Sequence, residues 1–130
     1  MTEAVITAEF DCDIEKVWQT VTSLQNYGWR SDISKIEVTS ENIFTEFTKD
    51  GFATKFTVTE RVPLKIWRFN IENDNIKGDW CGEFFDLGGR TRVVFTERVS
   101  AKKLLLRPLV KPYLKSQQKK YIADLKKALK

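Results

Sequence analysis

The 130-residue sequence contains no histidine, which removes the commonest general base, the usual partner of a catalytic serine or cysteine, and most zinc sites. Its two cysteines, Cys12 and Cys81, follow no secretion signal, so we expect reduced thiols. No apolar run approaches the roughly 18 residues of a membrane span. A cytoplasmic location is therefore the default expectation, and nothing in the sequence indicates a metal or nucleotide cofactor.

Charge is distributed unevenly along the chain. From Lys102 onward there are ten basic residues and one acidic residue, whereas residues 1–101 hold twelve basic and seventeen acidic ones. A basic face of this kind is either a solvated helix surface on an acidic body or a surface that meets anionic lipid. Nucleic acid is disfavoured as a partner, because most aromatic residues lie away from the basic segment.

Hydrophobic spacing divides the chain into a first strand, a short helix, a run of strands and a terminal helix. Glu3 to Phe10 alternates as a strand, and an apolar repeat of three and four residues then predicts a helix that ends before the turn at Tyr27-Gly28-Trp29. From Ser34 to Ser100 the period changes to two, which predicts six more strands and about seven in all.

The C-terminal segment returns to helical spacing, although two prolines interrupt it. Pro108 and Pro112 each remove a backbone donor and clash with the preceding turn. We therefore predict a short helical piece near Lys103–Leu109, a kink, and a main helix of about 18 residues that begins at Pro112.

The periodicity of apolar residues indicates which side chains of the predicted strands and helix face inward, and these would either line a pocket or fill a core. The candidates for binding an apolar ligand are Phe56, Val58, Trp67, Phe69, Trp80, Phe84, Val93, Phe95, Leu114 and Tyr121. By the same periodicity Glu60 and Glu97 fall on apolar strand faces. Each is either an acid–base group with a raised pKa, or a residue near a strand end that reaches water or a basic partner.

The order of elements resembles the START-like superfamily, and within it the polyketide cyclase/dehydrase and lipid transport group. The likeness rests on Ile6–Trp18, on the Leu24–Arg30 passage with its tryptophan, and on the Leu106–Leu109 tail before the last helix. Cys12-Asp13 departs from the Ala/Ser-Pro that often opens the first helix of the family. The resemblance implies one domain over residues 1–130 with an α+β helix-grip fold. In that fold about seven curved antiparallel strands wrap a long C-terminal helix, and two short helices follow the first strand.

Members of this superfamily hold a sterol, lipid, polyketide, quinone or hormone between sheet and helix, so the resemblance implies a small hydrophobic ligand. Carriage of such a ligand is our first hypothesis. The alternatives are a cyclase or dehydratase that uses an inward carboxylate, and a protein-interaction module with a filled core. Convergence of Glu60 and Glu97 inside the fold would favour the enzyme. The ligand and the oligomeric state stay open at this point.

Overall fold

The computed structural model describes residues 1–130 as a seven-stranded antiparallel sheet packed against one long helix, in the strand order β1-β7-β6-β5-β4-β3-β2. The elements in chain order are β1 (Thr2–Phe10), α1 (Ile14–Thr22), β2 (Lys35–Ser40), β3 (Ile43–Phe47), β4 (Ala53–Val62), β5 (Ile66–Glu72), β6 (Ile76–Asp86), β7 (Thr91–Ala101) and α2 (Arg107–Ala128). The predicted α+β helix-grip architecture is confirmed.

Period-two patterning produces the sheet and decides which face is buried. Along β6 every second residue from Gly78 to Phe84 is buried, and along β7 Val93, Phe95 and Val99 are buried in the same rhythm. Alternate side chains of a strand point to opposite faces, so these residues all lie on the face that α2 covers. The main core, a cluster of 17 buried residues, lies between that face and the two helices.

Only one short helix follows β1, so the second of the two helices implied by the resemblance is absent. The structure has α1, which buries Ile14, Val17, Trp18 and Val21, and then turns and bends over residues 23–34. This segment lacks the apolar repeat of three and four residues that lets a short helix bury one face. It runs instead as a loop across one end of the sheet.

The terminal helix runs from Arg107 across Pro112, so the prediction that the main helix begins at Pro112 is wrong, and the separate piece predicted near Lys103–Leu109 is only a short 3₁₀ turn. A 3₁₀ turn at Leu104–Leu106 leads directly into the 22 residues of α2. Pro112 lies early in the helix, where it removes only the bond that its own amide would have donated to Pro108. Neither helix combines the length and the hydropathy that crossing a membrane requires.

Packing of α2 against β1 and β7 fixes the position of the helix. Val110 and Leu114 are buried against Ala4 and Val99 in a second, smaller core cluster. One turn further on, the buried Gln118 amide donates hydrogen bonds to the backbone carbonyls of Ala4 (2.9 Å) and Phe95 (3.4 Å). The register of α2 on the sheet thus determines which side chains of its central turns face the interior.

Candidate functional site

A partly enclosed cavity of about 190 Å³ lies between the sheet, the 23–34 loop and α2. Fifteen of its 24 lining residues are hydrophobic and the others are polar or charged, so the walls combine an apolar part with a substantial polar part. The loop contributes Tyr27, Trp29, Arg30 and Asp32, and α2 contributes Tyr113, Gln117 and Tyr121. The inner sheet face supplies most of the rest, namely Ile36, Phe44, Glu46, Thr48, Thr54, Phe56, Trp67, Phe69, Ile71, Ile76, Trp80 and Glu97.

Aromatic rings packed against one another form the sheet side of the cavity. Phe44 and Phe56 stack at 4.9 Å between ring centroids, and Phe69 stacks on Trp80 at 4.8 Å. Trp67 lies edge-on to Phe69 at 5.1 Å. Since each ring is held by its neighbours, this wall is rigid and presents large apolar surfaces with little rotamer freedom left to lose.

The structure divides the ten candidates for ligand contact into two equal groups. Phe56, Trp67, Phe69, Trp80 and Tyr121 line the cavity. The other five lie in or against the core and not in the cavity wall, namely Val58, Phe84, Val93, Phe95 and Leu114. Parity distinguishes the two faces of a strand, but it does not distinguish a side chain beside a cavity from one that fills the space next to it.

Arg30 lies at the polar end of the cavity and joins two carboxylates. Its guanidinium donates to Asp32 at 2.9 and 3.0 Å and to Glu46 at 3.1 and 3.2 Å. The three side chains are 12%, 22% and 15% exposed, respectively. The paired fork geometry to both partners is the arrangement in which arginine binds carboxylate most strongly.

The surroundings of Arg30 keep its charge in place. Burial alone would lower the pKa of Arg30, but Glu46 and the hydrogen bond to Asp32 outweigh burial and raise it above its ordinary value. The guanidinium also lies over the ring of Tyr121 in α2, at 4.9 Å from the centroid. Arg30 therefore connects the loop to both β3 and α2.

Glu97 is the carboxyl group in the cavity wall that has no partner. It lies on β7 opposite Trp80 of β6, and no salt bridge or side-chain hydrogen bond of the protein involves it. Burial raises the pKa of Glu97 from 4.5 to about 7, and the charge of Glu46 adds to the rise while Arg30 opposes it. Near neutral pH this group can therefore either donate or accept a proton.

Glu60 lies on the outer side of the sheet, so the prediction that it faces inward is wrong. The pairing of β4 with β5 shifts between Val58 and Glu60, a bulge that places Glu60 opposite Arg68. The two side chains form an exposed ion pair at 3.4 Å. One extra residue in a strand reverses the parity beyond it, and hence the two glutamates do not converge.

Two buried indole groups at the cavity also lack hydrogen-bond partners. The Nε1 atoms of Trp29 and Trp67 are buried and unpaired, and both residues line the cavity. An unsatisfied buried donor costs about 1–3 kcal/mol, so most such groups in proteins find a partner. No group of three or more acidic or sulfur side chains is arranged to hold a metal ion.

The ion-pair network was not among the candidates drawn from the sequence, although one signal of it was present. In β3, Glu46 lies on the same inward face as Phe44, and the residues on either side of it in the strand face outward. A charged residue on an apolar strand face indicates a buried partner. That partner, Arg30, lies in a loop of irregular structure, where no periodicity indicates where a side chain points.

A protein-family model described as polyketide cyclase/dehydrase and lipid transport matches residues 1–130. The chain belongs to this family. No curated protein matches the sequence. Membership of the family agrees with the fold and with a cavity between sheet and helix, and it leaves the ligand undetermined.

Solved structures of low sequence identity share the fold of this family member. A START superfamily protein from Mycobacterium smegmatis is 14% identical with a TM-score of 0.89, and the match covers 98% of this chain and 96% of that one. A conserved protein from Geobacillus kaustophilus is 10% identical with a TM-score of 0.84, covering 98% and 95%. The di-domain ARO/CYC BexL from the BE-7585A biosynthetic pathway is 11% identical with a TM-score of 0.80, covering 97% of this chain and 45% of that chain.

Replacing Arg30 with methionine should destabilise the protein strongly. Asp32 and Glu46 would be left buried without a cation, and breaking a buried ion pair in this way costs about 3–5 kcal/mol. Urea unfolding measures the free energy. The matched control is Arg90→Met, since Arg90 also contacts two carboxylates but is 53% exposed, and its loss should have a much smaller effect. Equal losses in the two variants would contradict a buried network.

Replacing Glu97 with glutamine should flatten the pH dependence of stability. Between about pH 4.5 and 7 the folded chain binds more protons at Glu97 than the unfolded chain does, so the wild-type free energy of unfolding falls as pH rises. At about 1.4 kcal/mol per pKa unit, the glutamine variant should gain up to about 3 kcal/mol relative to wild type across this window.

Urea unfolding at a series of pH values measures this difference. Glu60→Gln is the control, because the exposed Glu60 should leave the wild-type slope unchanged. A glutamine variant of Glu97 that kept the wild-type slope would show that Glu97 is not buried.

Proposed function

We propose that the protein binds a small and mostly apolar molecule, about the size of one aromatic ring, in the cavity between the sheet and α2. The observation that carries this proposal is the 190 Å³ cavity with its rigid aromatic wall. An apolar cavity of about 150 Å³ in another protein accepts benzene, whereas sites for drug-sized ligands measure about 300–1,000 Å³. A lipid or a multi-ring polyketide would have to extend out of the cavity or displace part of its wall.

The polar groups at the cavity add a requirement on the ligand. Glu97 has no partner within the protein, and the indole N–H groups of Trp29 and Trp67 are donors without acceptors. A hydroxyl or carbonyl group on the ligand would give the Glu97 carboxyl group the hydrogen-bond partner that the protein does not provide. An ionised Glu97 accepts a hydrogen bond from a hydroxyl, and a protonated Glu97 donates one to a carbonyl. The Arg30 charge is already neutralised, so an anionic ligand is disfavoured.

Single-ring phenols test this proposal. We expect 4-fluorophenol to bind measurably by ¹⁹F NMR titration, and 6-fluoro-2-naphthol to bind at least ~10-fold more weakly because its second ring exceeds the cavity. Trp67→Phe should weaken binding of the phenol by about 5-fold, which corresponds to roughly 1 kcal/mol of lost contact. Trp18→Phe is the control, because Trp18 is equally well buried but lies outside the cavity wall.

Two results would contradict a ring-sized binding site. One is the absence of any binding by 4-fluorophenol, and the other is tighter binding of the naphthol. Equal effects of Trp67→Phe and Trp18→Phe would place the bound phenol away from the aromatic wall.

A second candidate function is an enzyme that moves a proton on a bound carbonyl compound, and the pKa of about 7 at Glu97 favours it. A carboxyl group poised near neutral pH suits general acid–base catalysis. The test is exchange of the α-protons of cyclohexanone for deuterium in D₂O, followed by ¹H NMR. An enzyme should accelerate exchange over buffer, and Glu97→Gln should abolish the acceleration while Glu60→Gln keeps it. Exchange at the buffer rate would contradict the enzymatic function, and binding would then be the one function proposed for the cavity.

A further inference from the structure

An exposed apolar patch lies where α2 begins. Its side chains, Leu104, Leu105, Leu109 and Tyr113, are 70%, 89%, 60% and 53% exposed. Leu109 and Tyr113 are four residues apart in α2 and share one face of its first turns, and Leu104 and Leu105 lie in the 3₁₀ turn that precedes the helix. Scattered exposed leucines are ordinary in proteins, but a contiguous set of this kind usually marks an interaction surface.

Basic side chains occupy the same stretch of chain as this patch, but Arg107, Lys111 and Lys115 are each two residues from Leu109 or Tyr113 and so lie on another side of α2. Lys103, Arg107, Lys111 and Lys115 are all exposed, and no acidic residue occurs between residues 102 and 123. None of these four forms an ion pair with a carboxylate: Lys111 donates to the backbone carbonyl of Glu3, and Lys103 contacts the amide of Asn75. The first turns of α2 therefore carry positive charge that no carboxylate neutralises.

We propose that the patch docks onto the surface of an anionic lipid bilayer. Leucine and aromatic side chains on one face with lysine and arginine on another are the composition by which helices lie in the headgroup region, where the apolar groups enter the acyl boundary and the basic groups meet phosphates. The leucines are also highly exposed, and Leu105 is almost fully so. Side chains exposed to this degree can enter a deformable lipid surface without any rearrangement of the protein.

The patch adjoins the cavity, although the inference does not depend on the proposed ligand. Tyr113 belongs to the patch and also lines the cavity, and Gln117 lines the cavity one turn further along α2. Docking through the patch would bring this edge of the cavity close to the bilayer. A molecule that partitions into lipid would then have a short path between membrane and protein.

Vesicle flotation tests the proposal with the full chain. We expect the protein to float with vesicles of 70% phosphatidylcholine and 30% phosphatidylserine at about 0.05 M salt, and to be released at about 0.5 M salt, where the Debye length is shorter. Leu104→Ser combined with Leu105→Ser should reduce the bound fraction at least ~10-fold. Val38→Ser is the control, because Val38 is 49% exposed on β2, far from the patch in sequence.

Two charge-reversal variants distinguish an effect of charge near the patch from an effect of the net charge of the protein. Lys103→Glu with Arg107→Glu should reduce binding at least ~10-fold. Lys126→Glu with Lys127→Glu changes the net charge equally, about 28 Å along the same helix from Arg107, and should reduce binding much less. Thermal unfolding should show that all variants are folded, since every changed side chain is exposed.

Three results would overturn the proposal. The wild type could fail to float with anionic vesicles, it could float equally well with pure phosphatidylcholine, or the leucine double variant could float as well as the wild type. If the wild type fails to float but forms a dimer that the leucine double variant abolishes, the patch belongs to a second copy of the chain.

Discussion

The ion-pair network of Arg30 with Asp32 and Glu46 is the interaction on which the candidate site depends. The 23–34 loop has no regular structure of its own, yet it closes one end of the sheet because Arg30 joins it to β3 and lies over Tyr121 of α2. Tyr27 and Trp29 enter the cavity wall from this loop. A buried pair is costly to desolvate, and it stabilises the fold only when its geometry satisfies most of the buried donors; here four of the five guanidinium N–H groups donate to carboxylates.

The same network explains why Glu97 stands alone. Arg30 is the cation of the cavity, and four of its five N–H donors are occupied by two carboxylates. A third carboxyl group in the same wall gains little from that charge, so burial dominates and the pKa of Glu97 rises to about 7. On the opposite side, stacked and edge-on rings occupy most of the space between sheet and helix. These two constraints leave a cavity about the size of one ring, in which one polar group, Glu97, can gain or lose a proton.

Periodic patterns in the sequence account for most of the fold, and the errors fall where periodicity carries no information. Seven strands, the short first helix and the long last helix follow from spacings of two and of three to four. The bulge after Val58 turned Glu60 outward, because a single extra residue is invisible to an alternation pattern. Pro112 did not break α2, since its lost hydrogen bond falls early in the helix. Arg30 was missed because alternation patterns do not show where a side chain in a loop points. The one indication of a buried cation in the sequence was that Glu46 lies on the inward face of its strand.

Diffraction from crystals soaked in 4-bromophenol would show whether a ring-sized ligand lies between the aromatic wall and Glu97. We expect an anomalous bromine peak inside the cavity near Trp67 and Trp80, with the phenol oxygen within hydrogen-bond distance, about 2.5–3.0 Å, of the Glu97 carboxyl group. Bromine bound only on the outer surface, or a cavity filled by side chains of the protein, would show that no such ligand site exists.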